Sequence, residues 1–178
     1  MAQTLFDFNF RLMTLLSTER LFLRKFNLKD ADFLIKLMND KDWIRNIGDR
    51  GVHSIRHAEE YIRTRFLKSY DENGFGFYVI ALKDSGQLIG TAGLVNREGL
   101  EHVDIGYGML PEYRGKGYAF EATKAVYDYG YSELGLNKII AIVNPDNQGS
   151  INLLKKLGLR FEKMIRLPDE DKEIELFS

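Results

Sequence analysis

The 178-residue chain contains no cysteine, which excludes disulfides, cysteine zinc sites and a cysteine nucleophile. It has only three prolines and one tryptophan. Neither sign of charge is in excess, because 25 Lys and Arg face 26 Asp and Glu, a formal net charge of −1. Nucleic-acid-binding proteins usually carry a basic excess, so this balance disfavours that class. No apolar run approaches the ~20 residues of a membrane-spanning helix.

What the chain does have is the composition of an ordinary globular domain, with 44% hydrophobic and 29% charged residues. Its length predicts one domain, which we assign to residues 18–178. Residues 1–17 are assigned to an N-terminal extension, with Met13 as an alternative start. This extension lacks the basic beginning and small-residue cleavage site of a signal peptide, so we expect a cytoplasmic protein.

The hydrophobic periodicity predicts the element order β-α-α-β-β-β-α-β-α-β-β. Asn27 and Ser54 are expected to cap the first two helices, and residues 39–53 between those helices are predicted to form a loop. A central meander followed by a βαβ crossover predicts an α/β fold. Its mixed sheet should have about six to seven strands with helices on both faces. The predicted strands are 21–26, 75–82, 87–95, 101–110, 138–143, 160–166 and 172–177.

One segment between a predicted strand and a helix carries the strongest chemical signal. Glycines let backbone N–H groups converge without obstruction by Cβ atoms, and the positive end of a helix dipole favours a phosphate. Arg114 and Lys116 would add positive charge. A glycine-rich turn needed only for packing is the alternative. The segment is Arg114-Gly115-Lys116-Gly117-Tyr118-Ala119.

Together with a second motif, this segment resembles the GNAT (Gcn5-related) N-acetyltransferases. It is similar to their Q/R-x-x-G-x-G/A signature for the acyl-CoA pyrophosphate, and Asn147-x-x-Ser150 is similar to their second motif. The resemblance covers roughly residues 18 to 178. A further resemblance is to the Rim-type group, which acts on ribosomal-protein N-termini. It rests on Thr18-Glu19-Arg20-Leu21, Asp104-Ile105-Gly106-Tyr107 and Glu121-Ala122.

The resemblance implies acetyl-CoA as co-substrate and an amine acceptor, either a peptide N-terminus or a small molecule. It implies a V-shaped opening between strands 103–110 and 138–143, where pantetheine would bond backbone near Met109 and Leu110. Asn147 would cap a helix and fix this arm. The reaction it implies needs no metal, and we expect no nucleic-acid or membrane partner. The chain could be a monomer or a homodimer.

The resemblance also implies catalytic candidates. Ser150 would serve the departing thiolate, or would bond only backbone in the first turn of a helix. Many members place a tyrosine acid where this chain has Leu154. Asp104 is the candidate base, with a salt-bridged strand residue as the alternative interpretation. Weaker candidates for the base are Glu101, His102 and Asp169. A module that binds acyl-CoA without catalysis is the alternative function.

Overall fold

Short alternating apolar segments build the sheet. The structure, a computed structural model, describes residues 14–168 and 172–178. Within these residues the sheet has eight strands in the order β1-β2-β3-β4-β5-β6-β8-β7. They are β1 Thr14–Ser17, β2 Leu21–Lys25, β3 Phe77–Leu82, β4 Leu88–Val95, β5 Val103–Met109, β6 Ile139–Val143, β7 Phe161–Arg166 and β8 Glu173–Phe177.

The predicted fold class is confirmed, but the predicted count of six to seven strands was wrong. The additional strand is β1, an antiparallel partner of β2. It lies inside the segment assigned to an extension, and in the part of the chain that the structure describes it is the first strand of the sheet. Four residues are too few to display the alternation that marks a strand, and only pairing with β2 defines it. Residues 1–13 lie outside the described part of the chain.

Capping side chains mark the start of two helical segments. The Oδ1 atom of Asn27 accepts from the amide of Lys29 at 3.0 Å, and Oγ of Ser54 accepts from that of His57 at 3.2 Å. Ser54 caps the helix Ile55–Tyr61 as predicted, whereas Asn27 caps a 3₁₀ turn, Leu28–Asp30, that leads directly into the helix Ala31–Met38. A π-helical segment, Ile62–Leu67, joins the helices Ile55–Tyr61 and Lys68–Asn73. The helices are α1 Ala31–Met38, α2 Lys41–Ile47, α3 Ile55–Tyr61, α4 Lys68–Asn73, α5 Tyr118–Ser132 and α6 Gln148–Lys156.

The predicted loop over residues 39–53 was wrong, because α2 lies within it. This helix has only two turns, too short for a clear apolar period. Its cap is Asp40, whose Oδ1 accepts from the amides of Asp42 at 3.1 Å and Trp43 at 3.2 Å. A carboxylate at this position satisfies amides that have no partner within the helix.

Helices cover both faces of the sheet. Gly130 of α5 lies against Leu94, since a Cβ on this glycine would be 3.3 Å from Leu94 Cδ1. Leu94 pairs with Ile105 of β5. Gly108 differs in parity from Ile105 and faces Trp43 of α2 instead. Because successive strand residues point to opposite faces, α5 and α2 lie on opposite sides of the sheet.

The centre of the sheet opens between β5 and β6. Their parallel pairing comprises only Val103 with Ile139 and Asp104 with Ile140. Beyond this point, Ala141 of β6 pairs with Phe177 of β8. The strands therefore diverge, and the opening implied by the resemblance is present. No helix among residues 14–168 and 172–178 is long and apolar enough to cross a membrane.

Candidate active site

The edge of β5 that faces the opening presents alternate backbone groups. The amide of Leu110 donates to the carbonyl of Ile89 in β4 at 2.9 Å. In an antiparallel ladder, alternate residues direct their N–H and C=O groups toward the partner strand. The backbone groups of Gly108 therefore point to β4 as well. Those of Tyr107 and Met109 point into the opening.

Met109 and Leu110, the two residues predicted to bond the pantetheine arm, therefore differ in which backbone groups face the opening. Both backbone groups of Leu110 are engaged, because its carbonyl also accepts from the amide of Tyr113 at 3.0 Å. The carbonyl of Met109 accepts from Nε of Arg114 at 3.1 Å. The backbone of Leu110 therefore has both groups engaged within the protein, whereas the amides of Tyr107 and Met109 face the opening.

The glycine-rich loop at the end of this opening has an unusual backbone. Gly115 has φ +72° and Gly117 has φ +83°, the left-handed region in which a side chain is strained. Gly117 is also the N-terminal cap of α5. Such a loop directs successive amides toward one side at the positive end of a helix, an arrangement that binds anions. Lys116 is exposed beside it.

A network from the start of the domain holds this loop. Oε1 of Glu121 accepts from the hydroxyl of Thr18 at 2.6 Å and from the amide of Arg20 at 2.8 Å. Oε2 of Glu121 accepts from Nε of Arg20 at 2.7 Å. Arg20 Nη1 also donates to the carbonyl of Lys116 at 3.0 Å. Burial raises the pKa of Glu121, but these hydrogen bonds outweigh it and hold the pKa below its usual value. The residues that carry the Rim-type resemblance thus buttress the loop, a role that sequence reasoning missed.

The side chain of Arg114 points toward the start of α2 and not toward the loop amides. We predicted that it would add charge to a phosphate site. Instead, its guanidinium pairs with Asp42 at 2.5 Å and with Asp40, both at the start of α2. Burial raises the pKa of Asp40, yet the hydrogen bonds from Arg114 and Trp43 hold it below the usual value. The charge of Arg114 is therefore balanced by carboxylates on the other wall of the opening.

Asp104 lies where β5 and β6 separate. Its Oδ2 accepts from Arg97 Nε at 3.0 Å and Nη2 at 2.8 Å, and its Oδ1 from the amide of Ile142 at 3.3 Å. Burial raises its pKa to about 6, and Arg97 opposes this shift. Through the bond to Ile142, Asp104 of β5 connects its own strand to β6. The role of Asp104 as a base stays a prediction, as do those of Glu101 and His102, and Asp169 lies outside the described residues.

Ser150 and Tyr107 meet across the opening. Asn147 caps α6, because its Oδ1 accepts from the amide of Ser150 at 3.1 Å. The side chain of Ser150 lies near the hydroxyl of Tyr107 on β5 and lowers its pKa, which partly offsets the larger rise that burial causes. Sequence reasoning missed Tyr107, although its alternation with Met109 along β5 was a usable signal.

A continuous cleft of about 1420 Å³ joins these parts to α2, α3 and α4. Trp43 and His57 line its far wall, whereas Leu110, Lys116 and Tyr118 do not line it. In residues 14–168 and 172–178, no group of three or more His, Cys, Asp or Glu side chains is placed to hold a metal ion. The predicted residues that it brings together are Asp104, Met109, Arg114, Gly115, Gly117, Ala119, Asn147 and Ser150.

Comparison with known proteins identifies the family to which a chain with this fold belongs. A family model described as an acetyltransferase (GNAT) domain matches residues 20–160. The chain belongs to the GNAT acetyltransferase family. In this GNAT domain the matched residues include β5, the glycine-rich loop and the first turn of α6.

Individual relatives agree with this assignment. An uncharacterized N-acetyltransferase, p20, from Bacillus licheniformis is 34% identical over 156 residues, 86% of each chain. A GNAT-family acetyltransferase from Bacillus anthracis has a similar structure, with a TM-score of 0.74, 27% identity and coverage of 90% of this chain and 95% of that one. RimL, a ribosomal L7/L12 alpha-N-protein acetyltransferase solved with coenzyme A, shares the fold at a TM-score of 0.78 and 15% identity. That match covers 92% of this chain and 96% of RimL.

The raised pKa of Asp104 predicts a pH-dependent stability. Between about pH 4 and pH 6 the unfolded chain ionises this carboxyl while the folded chain keeps its proton, so folding loses stability as the pH rises. Relative to Asp104→Asn, the wild type should lose about 3 kcal/mol of unfolding free energy across this window. Urea unfolding of both proteins at pH 4, 5, 6 and 7 measures the difference.

The control for this prediction is Asp128→Asn, which removes an exposed carboxylate that pairs with Lys124 on α5. Its stability difference from wild type should stay nearly constant across the same window, because the side chain remains in water. A constant difference for Asp104→Asn as well would contradict the burial of an ionisable group at the apex of the opening.

Proposed function

We propose that this GNAT domain is an acetyl-CoA-dependent N-acetyltransferase that transfers the acetyl group to a primary amine. The observation that carries the proposal is the divergence of β5 from β6, with the positive-φ glycine loop at one end and Ser150 across the gap. A thioester arm needs an extended slot beside backbone donors, and a pyrophosphate needs convergent amides. This chain has both features in one cleft.

Acetyl-CoA would enter as a co-substrate with its pyrophosphate at the amides of residues 114–119. Its pantetheine arm would extend along β5 and bond the amides of Tyr107 and Met109. Ala119 in the first turn of α5 lines the same cleft. The arm would end near the first turn of α6, which Asn147 caps.

The reaction would be a direct attack. The acceptor nitrogen, which must first lose a proton because amine pKa values lie near 10, bonds to the thioester carbonyl carbon. A β5 amide facing the opening would stabilise the oxyanion. When the C–S bond breaks, the thiolate takes the proton of the Ser150 hydroxyl, and Tyr107 Oη passes its own proton to Ser150. The amine's proton goes to a base or to water, and water reprotonates Tyr107.

A second candidate function is an acyl-CoA-binding module without turnover. The observation that favours it is the buried Leu154, which is 2% exposed and stands where many family members place a tyrosine acid. Turnover distinguishes the two candidates, because a module of this kind binds acetyl-CoA without consuming it.

The proposed acceptor is a primary amine, either the N-terminus of a peptide or a small molecule. A screen of peptides, polyamines and aminoglycosides would distinguish these two kinds of acceptor. The cytoplasmic location, the expected lack of a nucleic-acid or membrane partner, and the choice of monomer or homodimer stay predictions.

Binding of acetyl-CoA should depend on Gly117. Gly117→Trp fills the loop with a side chain and strains a residue at φ +83°, so the amides should no longer reach a pyrophosphate. We expect acetyl-CoA affinity to fall by at least about tenfold, by analogy with the loss of an oriented anion site. Isothermal titration calorimetry with acetyl-CoA, free CoA and NADH measures the affinities.

Gly135→Trp is the matched control, because Gly135 also has positive φ (+64°) and its Cβ position is open. It lies beyond the end of α5 and should leave binding unchanged. Circular dichroism of both variants checks folding. Normal affinity in Gly117→Trp would show that the loop is not the pyrophosphate site.

Turnover should depend on the two hydroxyls that meet across the opening. Ser150→Ala removes the proposed proton donor and should lower kcat by about 10²-fold, the lower range for general acid catalysis. Tyr107→Phe should lower kcat by about tenfold, since Ser150 can still exchange a proton with water. Thiol release from acetyl-CoA with an acceptor found in the screen gives the rates.

Ser132→Ala and Tyr129→Phe, at α5 positions outside the cleft, are the controls and should retain wild-type rates. Unchanged kcat in both cleft variants would remove Ser150 and Tyr107 from the mechanism. Acetyl-CoA binding without turnover by the wild type, across the whole screen, would favour the binding module.

A further inference from the structure

Arg114 joins three elements that border the cleft. It belongs to the glycine-rich loop, and its Nε donates to the carbonyl of Met109 at the end of β5 at 3.1 Å. Its Nη1 donates to Asp42 at 2.5 Å, and its Nη2 bonds Oδ1 of Asp40. Its side chain is about two-thirds buried, at 34% exposure. A planar guanidinium with several donors is well suited to such a junction.

The carboxylate of Asp40 contacts both Arg114 and the first turn of α2. The same Oδ1 that meets Arg114 accepts from the amides of Asp42 and Trp43 in the first turn. A single oxygen therefore links the loop arginine to the backbone that carries Trp43. Asp40 is 11% exposed at its side chain, so water competes little for this oxygen.

Trp43 forms the wall of the cleft against β5. Its ring lies so close to Gly108 that a Cβ there would be 2.3 Å from Trp43 Cζ3. The residue is 9% exposed and lines the cleft on the side opposite α5. The position of this wall is therefore set by the first turn of α2, which Arg114 holds.

We propose that Arg114 is a positioning residue that couples occupation of the glycine-rich loop to the placement of Trp43 on the acceptor wall, the side of the cleft formed by α2 where the acceptor amine would bind. The proposal rests on the proposed function, because it assumes that the loop binds the diphosphate of acetyl-CoA. An anion held by the loop amides would restrict residue 114, and its side chain would transmit this restriction through Asp40 to α2. The side chain of Arg114 would then contribute to the acceptor side more than to the phosphate.

Trp43 is the only tryptophan in the chain, so its fluorescence reports this wall directly. The probe is adenosine 3′-phosphate 5′-diphosphate, the fragment of CoA that lacks pantetheine. It lacks the arm that would extend along β5 past Gly108, which Trp43 contacts, so we expect a response of Trp43 to travel through the protein. Acrylamide quenching measures how accessible the ring is, and calorimetry measures binding of the fragment.

In the wild type, saturation with the fragment should reduce quenching of Trp43. Arg114→Gln should bind the fragment within about fivefold of the wild-type affinity, at the lower limit of typical coupling between sites. Its Trp43 should be more quenched in the free protein and should no longer respond to the fragment. Asp40→Asn keeps an oxygen that can cap α2 but loses the ion pair, so it should reproduce Arg114→Gln.

Lys116→Gln is the matched control, since it removes a positive charge from the same loop without touching α2. It should weaken fragment binding yet keep the full response of Trp43 at saturation. Arg114→Gln could instead weaken binding of the fragment as much as Lys116→Gln does and keep the quenching response of Trp43. This result would assign Arg114 to the phosphate and overturn the proposal.

The two proposals fail in distinguishable ways. If neither the fragment nor acetyl-CoA binds the folded wild type, the proposed function is wrong. The link from Arg114 to Trp43 is then still tested by quenching of the free proteins. Equal quenching in the wild type, Arg114→Gln and Asp40→Asn would contradict it.

Discussion

The loss of the parallel partner of β5 after Asp104 is the constraint on which the rest of the structure depends. Backbone N–H and C=O groups inside a protein need hydrogen-bond partners, and a strand that leaves its neighbour exposes a row of them. Here β6 turns to β8, and the exposed row of β5 becomes the wall of a cleft. Asp104 holds the apex by accepting from the amide of Ile142 on the departing strand.

Burial of this carboxylate is costly, and its raised pKa expresses that cost. Arg97 compensates by pairing with it, and the pair leaves the apex closed while the strands separate beyond it. The point of separation is thus held by one ion pair and one hydrogen bond from a backbone amide to a carboxylate.

Two networks hold the glycine-rich loop from opposite sides. On one side, Glu121 accepts hydrogen bonds from Thr18 and Arg20. On the other side, Arg114 forms ion pairs with Asp40 and Asp42. Glycines at positive φ have no side chain to pack, so the loop relies on its neighbours for definition. The network around Glu121 secures the start of α5, whereas that around Arg114 secures the first turn of α2, which carries Trp43.

Much of this protein follows from the sequence by itself. Local patterns mark seven of the strands, the capping residues Asn27 and Ser54, and the glycine-rich loop, because apolar alternation, capping side chains and glycine spacing are visible over a few residues. The two elements that were missed, β1 and α2, are short. Their few residues satisfy backbone groups through a neighbouring strand or a single capping carboxylate. Periodicity needs more turns or alternations to be visible.

Tertiary structure alone decided where the charged and hydroxyl side chains point. Arg114 meets a carboxylate 72 residues away, Thr18 meets one 103 residues away, and Tyr107 of β5 lies near Ser150 of α6. Long flexible side chains can reach several partners at similar cost, so packing of the whole chain selects among them. The sequence determined the fold family and the loop that suits an anion. The direction of Arg114, and with it the link to Trp43, was decided by the placement of α2 against β5.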